Sequence, residues 1–438
     1  MNTKIITLCC FILGWSTCKA QQELRPEDAV KYTLDNNFGI KVANKNVEVS
    51  ENNTSIYNSG YLPTVTGSAG ATYSLDNNES EFSSGDVTNL NGAESDRYNA
   101  SIDVSYTLFD GLGRKYNYKS LKEQYQLSEL QARETIENTI IELFTIYYNV
   151  AQLTENATTF KQTLDISKDR LVRSEYQFEY GQNTKLEVLN AEVDINNDSI
   201  NLINTKQQLN NTKRDLNLVM GNVLNEDFQV KTEISFLLDV NKEDLFEKAK
   251  SRNVALMQAD KAIRISELDI KLGKSSYLPT LGLIGSYGWS KSNNNAASFV
   301  SVSTNTGLSA GLNLSWNIFD GGSTLTTVKN AKIALESQEI QKEEILLSLE
   351  RDFNNAWDDY QNKLTIFRVQ ENNIITAQNN FDRSQEKFKI GQVNSIEFRQ
   401  AQLNLLNAEL SRNQAKYQAK LSELQLLQLS GELLNIAY

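Results

Sequence analysis

The chain has 438 residues, 43 of them basic and 55 acidic, and a net charge of −12. That balance repels phosphate backbones and argues against nucleic acid as a partner. Histidine is absent, which removes the usual zinc ligand and the usual acid–base group at neutral pH.

Residues 1–20, MNTKIITLCCFILGWSTCKA, set Lys4 before an apolar run from Ile5 to Trp15 and end on Ala20. This is the pattern of a secretory signal cut before Gln21. A rival reading makes Cys18 a lipidated residue. The chain's three cysteines, Cys9, Cys10 and Cys18, all lie here, so no disulfide or thiol chemistry is expected of the exported chain. No later stretch is apolar over the roughly 18 residues of a candidate spanning helix. Entry into a membrane therefore requires a β-barrel.

From residue 21 the text is written twice, as 21–225 and 226–438. The motif YLPT at Tyr61–Thr64 returns at Tyr277–Thr280, 216 residues on, and two of the chain's three prolines, Pro63 and Pro279, sit in it. SYTLFDG from Ser105 returns as SWNIFDG from Ser315, 210 residues on, as does YGQNTKLEVLNAE from Tyr180 as IGQVNSIEFRQAQ from Ile390.

In chain order, a helix over Pro26 to Gly60 ends at Pro63, because proline holds its predecessor in extended geometry. Two strands follow, 64–75 and 97–109. In each, apolar residues such as Ile102, Val104 and Tyr106 alternate with polar ones such as Ser101, Asp103 and Ser105. Period two gives one apolar and one polar face. The segments from Asp76 to Arg97 and Lys291 to Asn305 read as long polar loops. Asp110 and Gly111 turn the chain into a helix over 113–180, whose apolar residues Ile136, Leu143, Val150, Ala157, Leu164, Leu171 and Phe178 recur every seven. That is a coiled-coil seam on a helix ~100 Å long. Gly181 and Gln182 form its C-terminal turn, and a return helix occupies 186–220. The second half repeats this: helix 242–277, strands 280–290 and 306–319, a turn at Asp320 and Gly321, helix 323–390, a turn at Gly391 and Gln392, and return helix 395–430. Segments 221–242 and 431–438 break the pattern at mid-height.

Length and aromatic strand ends favour a membrane barrel over a soluble sandwich. Four strands cannot close one, since the smallest closed barrels use about eight. Two copies would supply eight strands and three copies twelve, the latter leaving a channel. The fold class is thus α+β: outer-membrane strands continued by long coiled-coil helices.

The doubled YLPT hinges, doubled FDG turns and doubled glycine tips resemble the TolC family of outer-membrane efflux proteins, over about residues 23–436. The resemblance implies a homotrimer with a twelve-stranded barrel in outer-membrane lipid above a periplasmic helical tunnel. It also implies an equatorial band, docking of a periplasmic adaptor at Gly181, Gln182, Gly391 and Gln392, and an inner-membrane pump behind the adaptor. Cargo in the family is drugs or, in type I secretion, unfolded proteins. Two aspartates that ring the tunnel's narrow end in the family fall at Glu397 and Gln400, with Glu187 and Asn190 as their repeat partners. Each pair is three apart and shares a helix face. One acid of the two is kept, so a weaker ring is expected. The alternative is that Glu397 serves only the dipole of its helix. The family's aromatic hydroxyl and arginine latch falls at Phe388 and Val393, which cannot form it.

No catalytic constellation is expected. Cofactor and metal are expected to be absent, and pairs such as Asp358 and Asp359 read as a solvated face. The leading reading is a passive exit duct; the other is a non-conducting structural or adhesive coiled-coil protein.

Overall fold

The computed structural model describes residues 23–224, 228–237, 241–296 and 298–435. The expected signal segment, with Cys18, lies outside them. The described residues divide into two compact units, one within 46–129 and 258–343, the other within 23–45, 130–257 and 344–435.

The first of these holds a four-stranded antiparallel sheet. Its strands are β2 (Thr64–Glu81), β3 (Val87–Asp110), β5 (Thr280–Asn293) and β6 (Val302–Ser315), in the order β2-β3-β5-β6. Polar and apolar residues alternate over 65–75 of β2, 98–108 of β3 and 308–315 of β6. Leu308, Leu312 and Leu314 are each about two-thirds exposed or more, so the apolar face of a single chain is uncovered.

Two expected loops are instead mostly strand. Residues 76–96 continue the hairpin with one irregularity between Asp76 and Asn78, where Asn77 accepts from the Gly92 amide. The turn closes tightly, with Phe82 N–H bonding the Asp86 carbonyl and Gly85 at φ +84°. The ladder of backbone bonds, once in register, runs on through Asn, Asp and Glu, whose weak strand preference does not stop it. Likewise β5 and β6 leave only residues 294–301 between them. The strand expected to reach residue 319 ends at Ser315, because no described residue pairs with it beyond Thr280↔Ser315.

After each sheet hairpin an aspartate caps a long helix. Asp110 Oδ2 accepts from Arg114 N at 2.7 Å and Asp320 Oδ2 from Thr324 N at 2.8 Å. These helices are α3 (Gly113–Glu179) and α7 (Ser323–Lys389), each of 67 residues. Their return partners are α4 (Lys185–Val219) and α8 (Ser395–Leu429), each of 35. Among the described residues no helix is long and apolar enough to cross a membrane.

The two helices expected over 26–60 and 242–277 are each broken. The first is α1 (Pro26–Asn36) and α2 (Phe38–Asn53); the second is α5 (Lys242–Arg252) and α6 (Val254–Ser275). The cause is an asparagine. Asn37 Oδ1 accepts from Ile40 N while its Nδ2 donates to the Val219 carbonyl at 2.9 Å. Asn253 Oδ1 accepts from Leu256 N while Nδ2 donates to the Leu429 carbonyl at 3.1 Å. A side chain that caps the next helix competes with the backbone ladder and breaks it.

The larger unit has its core here. Leu143, Phe144, Tyr147 and Val150 of α3 pack with Leu216 of α4 and Met220 just beyond its end, and with Tyr417 and Leu424 of α8. An extended strap, residues 228–237, crosses this core. Its β4 (Gln229–Val230) pairs in parallel with β1 (Glu23–Leu24). Side chains hold the rest: Tyr147 Oη accepts from Lys231 N, Tyr417 Oη donates to the Thr232 carbonyl, and buried Glu423 accepts from Leu237 N at 3.1 Å. Burial pushes the Tyr147 and Tyr417 hydroxyls up, so they remain neutral donors.

Candidate functional site at the helix tips

Two helical hairpins, α3–α4 and α7–α8, end in the larger unit at Gly181 and Gly391. Both turns have one geometry. Gly181 N–H bonds the Phe178 carbonyl and Gln182 N–H the Gln177 carbonyl; Gly391 and Gln392 bond Phe388 and Lys387 in the same way. This pair of bonds needs a left-handed residue, and φ is +69° and +76°. A Cβ added at either glycine would meet nothing within 4 Å. Gln182 and Gln392 are likewise exposed.

Just above the turns stand the four expected gate residues. Asn394 caps α8 by accepting from Glu397 N at 2.8 Å, which leaves the Glu397 side chain exposed in the first turn. Gln400 donates to Asn404 Oδ1 at 2.9 Å. Glu187 is half-buried, and its Oε2 is buried without a hydrogen-bond partner; Asn190 is exposed. Repeat-related positions thus differ: the acid is open to solvent on α8 and partly enclosed on α4.

The periodicity and the motifs did not disclose the strongest feature of the site. Arg399 of α8 makes two hydrogen bonds of 2.8 Å to the carboxylate of Asp198 on α4. Arg170 of α3 pairs with Asp194 of α4. Ser167 of α3 donates to Asp198 at 2.6 Å, and Gln402 of α8 donates to Ser167 and to the Thr163 carbonyl. Asp198 and Arg170 are almost wholly buried. Such charges are tolerated because they are paired and hydrogen-bonded, and removing one partner is costly. A third arginine, Arg173 of α3, donates to the Lys389 carbonyl at the end of α7 and lies 5.5 Å over the Phe388 ring. Phe388, where the resemblance expects a hydroxyl, instead stacks on Phe398 at 4.8 Å. Val393 packs at the edge of the same apolar cluster.

The signal that could have found these residues is asymmetry under the 210-residue shift. Arg170, Asp194 and Asp198 have Asn380, Asn404 and Ala408 as counterparts, and Arg399 has Leu189. Charges present in only one half mark where the two halves meet. Among the described residues no cluster could hold a metal ion.

The family model described as outer membrane efflux protein matches residues 29–222 and 245–432. The outer membrane efflux protein BepC of Brucella suis biovar 1 is 20% identical over 398 residues, covering 91% of this chain and 83% of that protein. The outer membrane protein TolC of Escherichia coli K12 is 22% identical over 355 residues, covering 78% and 71%. Among solved structures, the CmeC outer membrane channel of Campylobacter jejuni superimposes with a TM-score of 0.78 at 17% identity, over 93% of this chain and 86% of that one.

Proposed function

Because the chain belongs to the outer membrane efflux protein family, whose members are outer-membrane channels and not enzymes, we propose that it is the exit duct of a tripartite export system. Three copies close a twelve-stranded barrel in the outer membrane, and their helices form a periplasmic tunnel. Cargo delivered by an inner-membrane pump and a periplasmic adaptor leaves through it passively. The observation that carries this reading is the sheet: four strands, an uncovered apolar face, and strands that pass through a single capped turn into 67-residue helices. The adaptor docks on the open glycine turns at Gly181–Gln182 and Gly391–Gln392. Glu397, with Gln400, lines the narrow tunnel end opposite Glu187 and Asn190.

Native mass measurement in mild detergent and single-channel recording test it together. A trimer is expected that conducts and that trivalent cations block from the periplasmic side, because rings of acids hold cations. Glu397→Gln is expected to weaken the block and the cation preference while trimers persist. A stable monomer, or a trimer that never conducts, would select the non-conducting structural reading instead.

A further inference from the structure

We propose that the helix ends bordering the sheet form a basic collar that binds the headgroups of anionic phospholipids, of the phosphatidylglycerol type, in the membrane leaflet on the helix side of the barrel. The inference rests on the outer-membrane reading above and names the lipid chemistry which that reading leaves open.

Charge is sorted along the unit that holds the sheet, although the chain as a whole is acidic at −12. Four stretches border the sheet where strand and helix exchange: residues 52–63, 110–122, 270–279 and 316–335. Their bases are Arg114, Lys115, Lys119 and Lys122 of α3, the pair Lys271 and Lys274 of α6, and the pair Lys329 and Lys332 of α7. Their only acids are Asp110 and Asp320, and both are engaged in capping. Asp110 accepts from Arg114 N and Nε, and Asp320 from Thr324 N. The other helical stretches of the unit, 46–51, 123–129, 258–269 and 336–343, reverse the balance, with three bases and ten acids. The far end of the sheet is acidic too: residues 76–97 and 291–305 hold six acids and two bases. Bases placed only for solubility would not be confined to one zone between two acidic ones. All of them are exposed except Arg114, which is half-buried.

Aromatic rings stand among these bases, as they do at membrane interfaces. The Arg114 guanidinium lies 5.1 Å from the centre of the Tyr61 ring, and Lys122 Nζ lies 4.5 Å from that of Tyr118. The two rings meet edge to face at 6.3 Å. Trp316 is 57% exposed, while its Nε1 donates to the Tyr277 carbonyl at 3.1 Å. A ring with its polar tip satisfied and its body open suits the boundary between hydrocarbon and water.

The depths agree as well. A headgroup layer is about 5–8 Å thick on each side of the hydrocarbon core. From the first residue of their helices, Lys115 is about 3 Å along the axis, Lys119 and Lys329 about 9 Å, and Lys122 and Lys332 about 14 Å. Side chains on α3 and α7 lean toward the helix N-terminus, which here is the sheet side. Lysine stems therefore carry the ammonium groups back toward the headgroups, and charges within about 8 Å still act on each other at physiological salt.

Native mass measurement reads the lipid that is held. The trimer, purified from membranes in mild detergent, is titrated with phosphatidylglycerol or with phosphatidylcholine of the same chains. A preference of about ten-fold for phosphatidylglycerol is expected at low salt, falling toward parity at high salt. The triple variant Lys115→Gln, Lys119→Gln, Lys122→Gln should lose most of that preference, and arginine at the same three positions should keep it. Lys261→Gln, Arg264→Gln and Lys342→Gln together, which remove three bases from the acidic stretches, should leave it unchanged. Lys329→Gln with Lys332→Gln reads the same loss from the second repeat, should the first variant fail to trimerise. Equal retention of the two lipids by a trimer that conducts overturns the collar and leaves the duct standing. Glutamine variants that alter ion selectivity but not lipid retention put the bases in the duct and overturn the collar likewise. So does a trimer that holds lipid A in preference to phosphatidylglycerol and releases it on the same substitutions. An unsubstituted chain that is monomeric removes the parent reading and the collar with it.

Discussion

Four helices end on a glycine, at Gly181, Gly391, Gly221 and Gly431, and all four make the same two backbone bonds. Their surroundings divide them. At Gly181 and Gly391 an added Cβ meets open space; at Gly221 it would lie 2.7 Å from the Asn36 carbonyl oxygen, and at Gly431 2.5 Å from that of Arg252. One turn is thus used in two ways. At the tips glycine supplies only a left-handed bend, and the surface beyond it is free for a partner. At Gly221 and Gly431 it also admits another backbone, so the turn is part of the packing.

Substitutions can break that contrast. The largest effect is expected away from glycine altogether. Arg399→Met strands the buried Asp198 carboxylate and should cost about 3–5 kcal/mol, while the double variant Arg399→Met with Asp198→Leu should recover much of it. Urea unfolding of the four proteins of this cycle measures the coupling. A single substitution with no cost would mean that the tips are not held together by the arginines. Next comes Gly431→Ala, with a left-handed penalty and a backbone overlap that together should cost about 3 kcal/mol; Gly221→Ala should behave alike. Smallest is Gly391→Ala, with the conformational term alone, about 1 kcal/mol. Equal losses at Gly391 and Gly431 would erase the distinction. Gly391→Trp sharpens it, since folding, trimers and conductance should survive while adaptor-dependent export is lost.

The helices were the most legible part of the molecule. A seven-residue apolar repeat and a glycine at each end state their length, and both long helices end within a residue or two of the expected places. The breaks at Asn37 and Asn253 were hidden, because an asparagine within a helical pattern announces a cap only when the carbonyl it reaches, Val219 or Leu429, is known. The hairpin tips were hidden for the opposite reason. Residues 76–96 look like loop one by one, yet the neighbouring strand extends the ladder through them. At the tips, the glycine turns could be read and the arginine pairs could not. Spacing reports what lies on one helix, whereas Arg399 and Asp198 stand 201 positions apart.

The strap over residues 228–237 also bears on the order in which the molecule assembles. Its fastenings reach far along the chain: Thr232 to Tyr417, Ser235 to Lys420 and Leu237 to Glu423, each separated by 185 or 186 positions. Contacts so distant close late, because the entropy of the intervening loop is lost before they return any energy. The strap from Thr232 onward therefore stays undone until nearly all of α8 is present, whereas Gln229 to Lys231 can already meet β1 and Tyr147, so a chain cut short before Tyr417 should leave residues 232–237 open to proteases.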